Sequence, residues 1–156
     1  MQLFYNPALN DGDNLFSFDK IESKHIVKVL RKKEGDKLHI TNGRGHLFTA
    51  EILIANSTQC KASIIATEKR HPKMYRLHLA VAPTKSADRF EWFLEKVTEI
   101  VVHEITPILC DRSERKTLKM ERLQKVIMSA MKQSLRTYLP KLNEPVSFAE
   151  FIAQDH

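Results

Sequence analysis

Arg122, Lys125, Lys132 and Arg136 recur at intervals of three, seven and four within and just beyond the stretch Leu118 to Leu135. Helical side chains return to one side every three to four residues, so this spacing lines up four cations. Lys116 and Lys119 extend the positive charge toward the start of the stretch, and within it Glu121 alone opposes them. A row of one sign suits a phosphate backbone, because each neutralised phosphate releases counterions. A solvated outer face is the competing reading of the same pattern. Gln133-Ser134-Leu135-Arg136 closes the stretch with an amide, a hydroxyl and a guanidinium. Such a trio can hydrogen-bond a nucleobase edge while the arginine holds a neighbouring phosphate, although polar groups at helix ends are common.

Two further loops carry polar groups where ligands bind in open α/β sheets, beyond the carboxyl ends of strands. They are Thr84-Lys85-Ser86 and Asp111-Arg112-Ser113, and either could equally be satisfying helix caps. Other chemistries find little support. The seven histidines do not cluster as ligands would, which argues against metal catalysis. No Gly-x-Ser-x-Gly elbow or Walker-type loop occurs. Cys60 and Cys110 match no metal or redox spacing and read as buried thiols. The glycines are Gly12, Gly35, Gly43 and Gly45, all in the first part of the chain. Nucleotide and S-adenosyl cofactors are usually cradled by loops whose backbone comes close or takes positive φ. A glycine-free second half can still bind RNA through side chains.

The elements that must position these residues change character along the chain. Up to about Arg70 the pattern is short strands with one helix. Ser23 to Arg31 predicts an amphipathic helix capped by Ser23, with Ile26, Val27 and Leu30 on one face. Lys37 to Thr41 alternates as a half-buried strand, Asn42-Gly43-Arg44-Gly45 is a hairpin turn, and Leu47 to Ile54 and Lys61 to Thr67 are β-rich. Short strands with tight turns suggest a small barrel. A polar stretch, Glu68 to Pro72, follows as a linker. Beyond it come a strand, Arg76 to Ala82, and a helix with a capping box of Asp88 and Glu91 that buries Phe90, Phe93, Leu94 and Val97. A second strand, Glu104 to Cys110, leads to the helix Leu118 to Leu135, and a small helix begins in the tail at Val146 to Ile152. Strand, helix, strand, helix is the order of a parallel α/β layer. The expected organisation is a unit over 1–70 and a second over 74–156.

The chain has 156 residues, 42% of them hydrophobic, which is enough for a packed core and argues against wholesale disorder. Nothing near Met1 reads as a signal peptide, and no apolar run approaches a membrane span. The net charge of +6 suits a polyanionic partner.

Read in order, Lys85-Ser86-Ala87-Asp88-Arg89-Phe90-Glu91-Trp92, Glu95-Lys96-Val97-Thr98-Glu99-Ile100, Ile105-Thr106-Pro107-Ile108, Arg112-Ser113 and Ala130-Met131-Lys132-Gln133-Ser134-Leu135-Arg136 resemble the ribosomal RNA small subunit methyltransferase E family. Ser23-Lys24-His25, Val29-Leu30-Arg31, Gly35-Asp36 and Asn42-Gly43-Arg44-Gly45 look like the family's opening domain. The resemblance covers essentially the whole chain. It implies a small PUA-like β-barrel for RNA followed by a SPOUT-type α/β methyltransferase domain. It also implies N3-methylation of a uridine in 16S ribosomal RNA, S-adenosylmethionine as methyl donor, a homodimer in the full-length protein and a cytoplasmic setting. By the same resemblance Arg112, Ser113, Gln133, Ser134 and Arg136 lie near the target nucleotide, and Lys28 and Arg31 meet phosphates from the barrel. Arg122 and Lys125 join them from the basic stretch.

Two departures matter. The family's knot motifs, a Gly-Pro-Glu-Gly-Gly-like loop and a later Leu-Gly…Leu-Arg…Glu-Thr-Ala stretch, have no counterpart in this sequence. The chain is therefore expected to stop short of an S-adenosylmethionine pocket, to be inactive alone and to supply the RNA-binding part. Ile100-Val101 stands where the family usually has Leu-Gly, which should alter how the first α/β helix ends. The alternative is a non-catalytic RNA-binding protein that has lost the knot.

Overall fold

The computed structural model describes residues 1–114 and 116–153 and divides into two compact units, Met1–Pro72 and Lys73–His156. In the first, alternation of apolar and polar residues builds a five-stranded sheet in the order β1-β3-β4-β5-β2, with β1 Leu3–Tyr5, β2 Leu15–Ser17, β3 Lys37–Thr41, β4 His46–Ile54 and β5 Lys61–Lys69. Two register shifts between β4 and β5, at Thr49/Ala50 and Ile52/Ile54, bend the long hairpin, as bulges do, and the sheet curls into a half-barrel. Phe4, Ile26, Ile40, Phe48 and Ile52 fill its interior. Each such side chain contributes about 1.5–3 kcal/mol by leaving water.

The β3–β4 turn is held from both sides. Gly43 and Gly45 take φ of 72° and 94°, and Asn42 Oδ1 accepts from the backbone of Arg44 and His46. Arg44 itself donates to the carbonyls of Pro7 and Leu9 and to Asn10 Oδ1, fastening the first loop to the hairpin.

The helix expected from Ser23 is placed and capped differently. It comprises α1, Lys20–Lys24, capped by Asp19, and a π-helical turn, His25–Val29. Ser23 is buried inside it. Its hydroxyl donates to the Phe18 carbonyl and accepts from Cys60 N, a long-range pairing that sequence spacing does not reveal. Cys60 is buried, which pushes its thiol pKa up, whereas Cys110 is half-buried.

In the second unit β7, Glu104–Leu109, is the central strand, with β6, His78–Val81, on one side. On its other side β8, Lys141–Leu142, pairs with Glu104 and Ile105, and β9, Val146–Ser147, pairs with Ile108 and Leu109. Every pairing is parallel. The two short strands escaped the sequence reading because two residues show no period. Helices α2, Ala87–Glu99, and α3, Met120–Gln133, pack together through Phe90, Leu94, Val97, Leu123 and Ile127 onto Ile105. The expected capping box at Asp88 is absent. Ser86 caps α2, and Glu91 instead reaches Arg122 on α3. A capping box does form at Ser147 and Glu150, opening α4, Phe148–Ile152.

Candidate nucleic-acid interface

The loops leaving β6 and β7 come together at the carboxyl end of the sheet. Lys85 Nζ lies 3.4 Å from Glu114 Oε1, with both side chains exposed. Arg112 is exposed on the turn after β7, while Ser113 Oγ accepts from Cys110 N at 3.0 Å and closes that turn. Arg112 is thus available to a ligand, and Ser113 shapes the loop that presents it.

The Gln133-Ser134-Leu135-Arg136 segment sits at the other end. Helices α2 and α3 both start at the carboxyl edge and finish at the amino edge, where Arg136 Nη2 donates to the Glu99 carbonyl at 2.8 Å. Ser134 Oγ donates back to the Ala130 carbonyl, and Gln133 is exposed. Within one chain Arg112 and Ser113 are therefore separated from Gln133, Ser134 and Arg136 by the length of β7, roughly 17 Å.

The row of cations on α3 also divides. Arg122 forms a two-point ion pair with Glu91, Nε to Oε1 at 2.7 Å and Nη2 to Oε2 at 2.9 Å, which raises the arginine pKa. Arg136 lies beyond the helix end. Lys125 remains exposed and Lys132 is half-buried. A charge partner from the neighbouring helix was invisible to a count made within one element. In the first unit Lys28 and Arg31 are both exposed, Lys28 on the π-helical turn and Arg31 just past it at φ 54°. π-Helical turns recur at functional sites. Arg31, Lys32 and Lys33 line an open groove with Val27, Glu34 and Ala55.

Sequence reasoning missed a polar network on the sheet face turned away from α2 and α3. Glu104 is buried on β7, with Oε2 paired to Arg76 Nη2, and Oε1 accepting from Lys141 Nζ at 3.2 Å and Asn143 Nδ2 at 2.8 Å. Asn143 Nδ2 also reaches Thr106 Oγ1 at 2.7 Å, which in turn lies 2.7 Å from His78 Nε2. The Asn143 hydrogen bond foremost, with Lys141 and Arg76, holds the Glu104 pKa down at about 2 despite its burial. The available signal was Glu104 and Thr106 at i and i+2 in a strand otherwise apolar. A parallel strand covered on both faces has no use for them.

Residues 70–156 match the family model described as RNA methyltransferase domain, and residues 18–65 match that of the RNA methyltransferase PUA domain. The chain is 26% identical over 144 residues to ribosomal RNA small subunit methyltransferase E of Bacillus subtilis, covering 88% of this chain and 56% of that protein. It is 32% identical over 125 residues to ribosomal RNA small subunit methyltransferase E 2 of Borreliella burgdorferi, covering 76% and 51%. A solved structure of a probable rRNA-methyltransferase from Porphyromonas gingivalis is similar with a TM-score of 0.90 at 38% identity, spanning 100% of this chain and 65% of that one. Ribosomal RNA small subunit methyltransferase E from Neisseria gonorrhoeae, bound to S-adenosyl methionine, gives a TM-score of 0.89 at 22% identity, spanning 100% and 66%; at that identity the likeness is one of fold. The chain spans about half the length of the curated relatives named.

Whether the described residues suit such a cofactor is a matter of size and backbone. The cleft between the first turns of α2 and α3, beside the Glu91–Arg122 pair, holds about 140 Å³. Small-molecule sites run from roughly 300 Å³ upward. The loops at this edge, residues 83–86 and 110–119, contain no glycine that would let a backbone approach closely. This one cleft is smaller than such a site. Among the described residues no cluster of three metal-ligating side chains occurs, and no helix is long and apolar enough to cross a membrane.

Proposed function

The chain belongs to the ribosomal RNA small subunit methyltransferase E family, and on that premise we propose that the protein methylates N3 of a uridine in 16S ribosomal RNA with S-adenosylmethionine, this chain supplying RNA binding. The match of residues 70–156 to the RNA methyltransferase model carries the reading. The PUA match over 18–65, which includes the exposed cations Lys28 and Arg31, supports it. The α/β unit is assigned to the SPOUT class, the protein to a homodimer and its work to the cytoplasm, where small ribosomal subunits are its partner.

Uridine N3 carries a proton and attacks poorly until that proton is removed or strongly polarised. The base must also be splayed out of its stack and held in line. Our assignment gives this chain the holding: Arg112 at the carboxyl edge, Gln133 at the amino edge on a separate stretch of the RNA, and Lys28, Arg31 and Lys125 along the phosphates. Ser113, Ser134 and Arg136 act behind them by fixing the turns that present Arg112 and Gln133. Arg122, already satisfied by Glu91, contributes less than Lys125.

Titrating the chain with a 16S ribosomal RNA fragment at several salt concentrations tests this. The logarithm of affinity should fall linearly with the logarithm of salt, and Lys125→Ala should flatten the slope by about 0.7–0.9, one phosphate contact. Arg122→Ala should flatten it less. Binding without salt dependence, or equal slopes for Lys125→Ala and wild type, would count against the assignment. Calorimetry with S-adenosylmethionine tests separately the expectation that this chain stops short of the cofactor pocket, and clear micromolar binding would overturn it.

A further inference from the structure

The geometry points to a second RNA contact at the amino edge of the α/β sheet, in which Arg76 and Lys141 hold adjacent phosphates and Tyr75 stacks a base. This rests on the RNA reading above and adds a surface to it. Arg76 enters from the residues just before β6 and Lys141 from the start of β8, far apart in sequence. Both converge on Glu104, whose side chain is only 9% exposed, while those of Arg76 and Lys141 are 73% and 69% exposed. One buried carboxylate therefore holds two solvent-facing cations side by side. Each keeps donors to spare, since a guanidinium has five N–H groups and an ammonium three. Fixing them in advance reduces the side-chain entropy lost when an anion binds.

The same edge carries an aromatic group. Tyr75 is 53% exposed, and its ring meets His103 edge-on with centroids 5.6 Å apart. His103 Nδ1 accepts from Leu77 N at 3.2 Å, so the neutral ring keeps its hydrogen on Nε2 as a donor. Backbone bonds from His103 N to the Leu77 carbonyl and from Lys141 N to the His103 carbonyl place it between the two cation-bearing segments. Cations with an aromatic platform are the combination that single-stranded RNA uses, phosphates on charge and base on ring. Lys73, two residues before Tyr75, adds further positive charge.

Binding of a labelled single-stranded RNA 12-mer by the whole chain tests the surface. Arg76→Gln with Lys141→Gln should weaken binding and reduce the salt slope by about 1.4, two single-strand phosphates. Arg76→Lys with Lys141→Arg should retain the slope. Tyr75→Ala, on an exposed ring whose loss leaves the Glu104 network intact, should weaken binding about tenfold with the slope unchanged, and Tyr75→Phe should restore it. Thermal melts separate these effects from unfolding of the double variant, and Tyr75→Ala stands as an independent reading. If the wild type binds and Lys125→Ala flattens its slope while the Tyr75 and Arg76/Lys141 variants bind as wild type, this surface is wrong and the broader reading stands. If the wild type binds no RNA, both fall.

Discussion

At the scale of single residues, the side chains read as RNA contacts turn out to differ in what else they hold. Arg122 is engaged by Glu91, Arg136 by the end of α2, and Ser113 by its own turn. Arg112, Lys125, Lys28 and Arg31 are exposed. Glu104 is held in its charged form by three neighbours, and its place in the sequence did not single it out. Its pKa falls from the usual 4.5 to about 2 because the folded state favours its charged form. The stability it contributes is complete above about pH 4.5 and is lost as the pH falls toward 2. Glu104→Gln should lower stability at neutral pH by on the order of 1–2 kcal/mol, allowing for solvent screening of the exposed cation heads. It should also flatten the dependence of stability on pH between 4.5 and 2. Urea denaturation of both proteins across that range measures it, and parallel curves would refute the assignment.

Among the elements, the helix ends stand out. After α2, Val102 N bonds to the Val97 carbonyl and Val101 N to that of Thr98, the pair of bonds that closes a helix through a left-handed residue. That residue is Val101, at φ 72°. Leu135 occupies the same place after α3 at φ 56°, with Arg136 N reaching the Met131 carbonyl. Glycine is the ordinary occupant, and a β-branched side chain there costs about 1–3 kcal/mol. The Ile100-Val101 departure noted in the sequence has its structural meaning here. Val101→Gly should raise stability by about 1 kcal/mol, after the larger chain entropy of glycine and the lost contacts of a half-buried valine are set against the relief. A urea midpoint shifted downward would show that the valine's contacts outweigh the strain.

For the whole molecule, the chain divides into two units, Met1–Pro72 and Lys73–His156. Residues His71 to Leu77 are all exposed, and the segment carries trypsin sites. Brief trypsin treatment should cut first after Lys73, leaving two resistant fragments, because surface segments with few contacts open before packed ones. Mass spectrometry of the first products decides it; early cuts inside β3–β5 or α3 would speak against two compact units.

Sequence alone determined what depends on local periodicity and order. The strand Lys37–Thr41, the Asn42–Gly45 turn, the apolar stripes of α2 and α3 and the ordered motifs of the family all follow from spacing along the chain. Only the tertiary structure decided which charges are already partnered and which end of the sheet each motif occupies. Those depend on contacts between residues 31 to 39 positions apart, such as Glu91 with Arg122, Glu99 with Arg136, and Glu104 with Lys141 and Asn143. Charge patterns within one helix carry no trace of a carboxylate supplied by its neighbour, because only the packing of the apolar faces brings the two together.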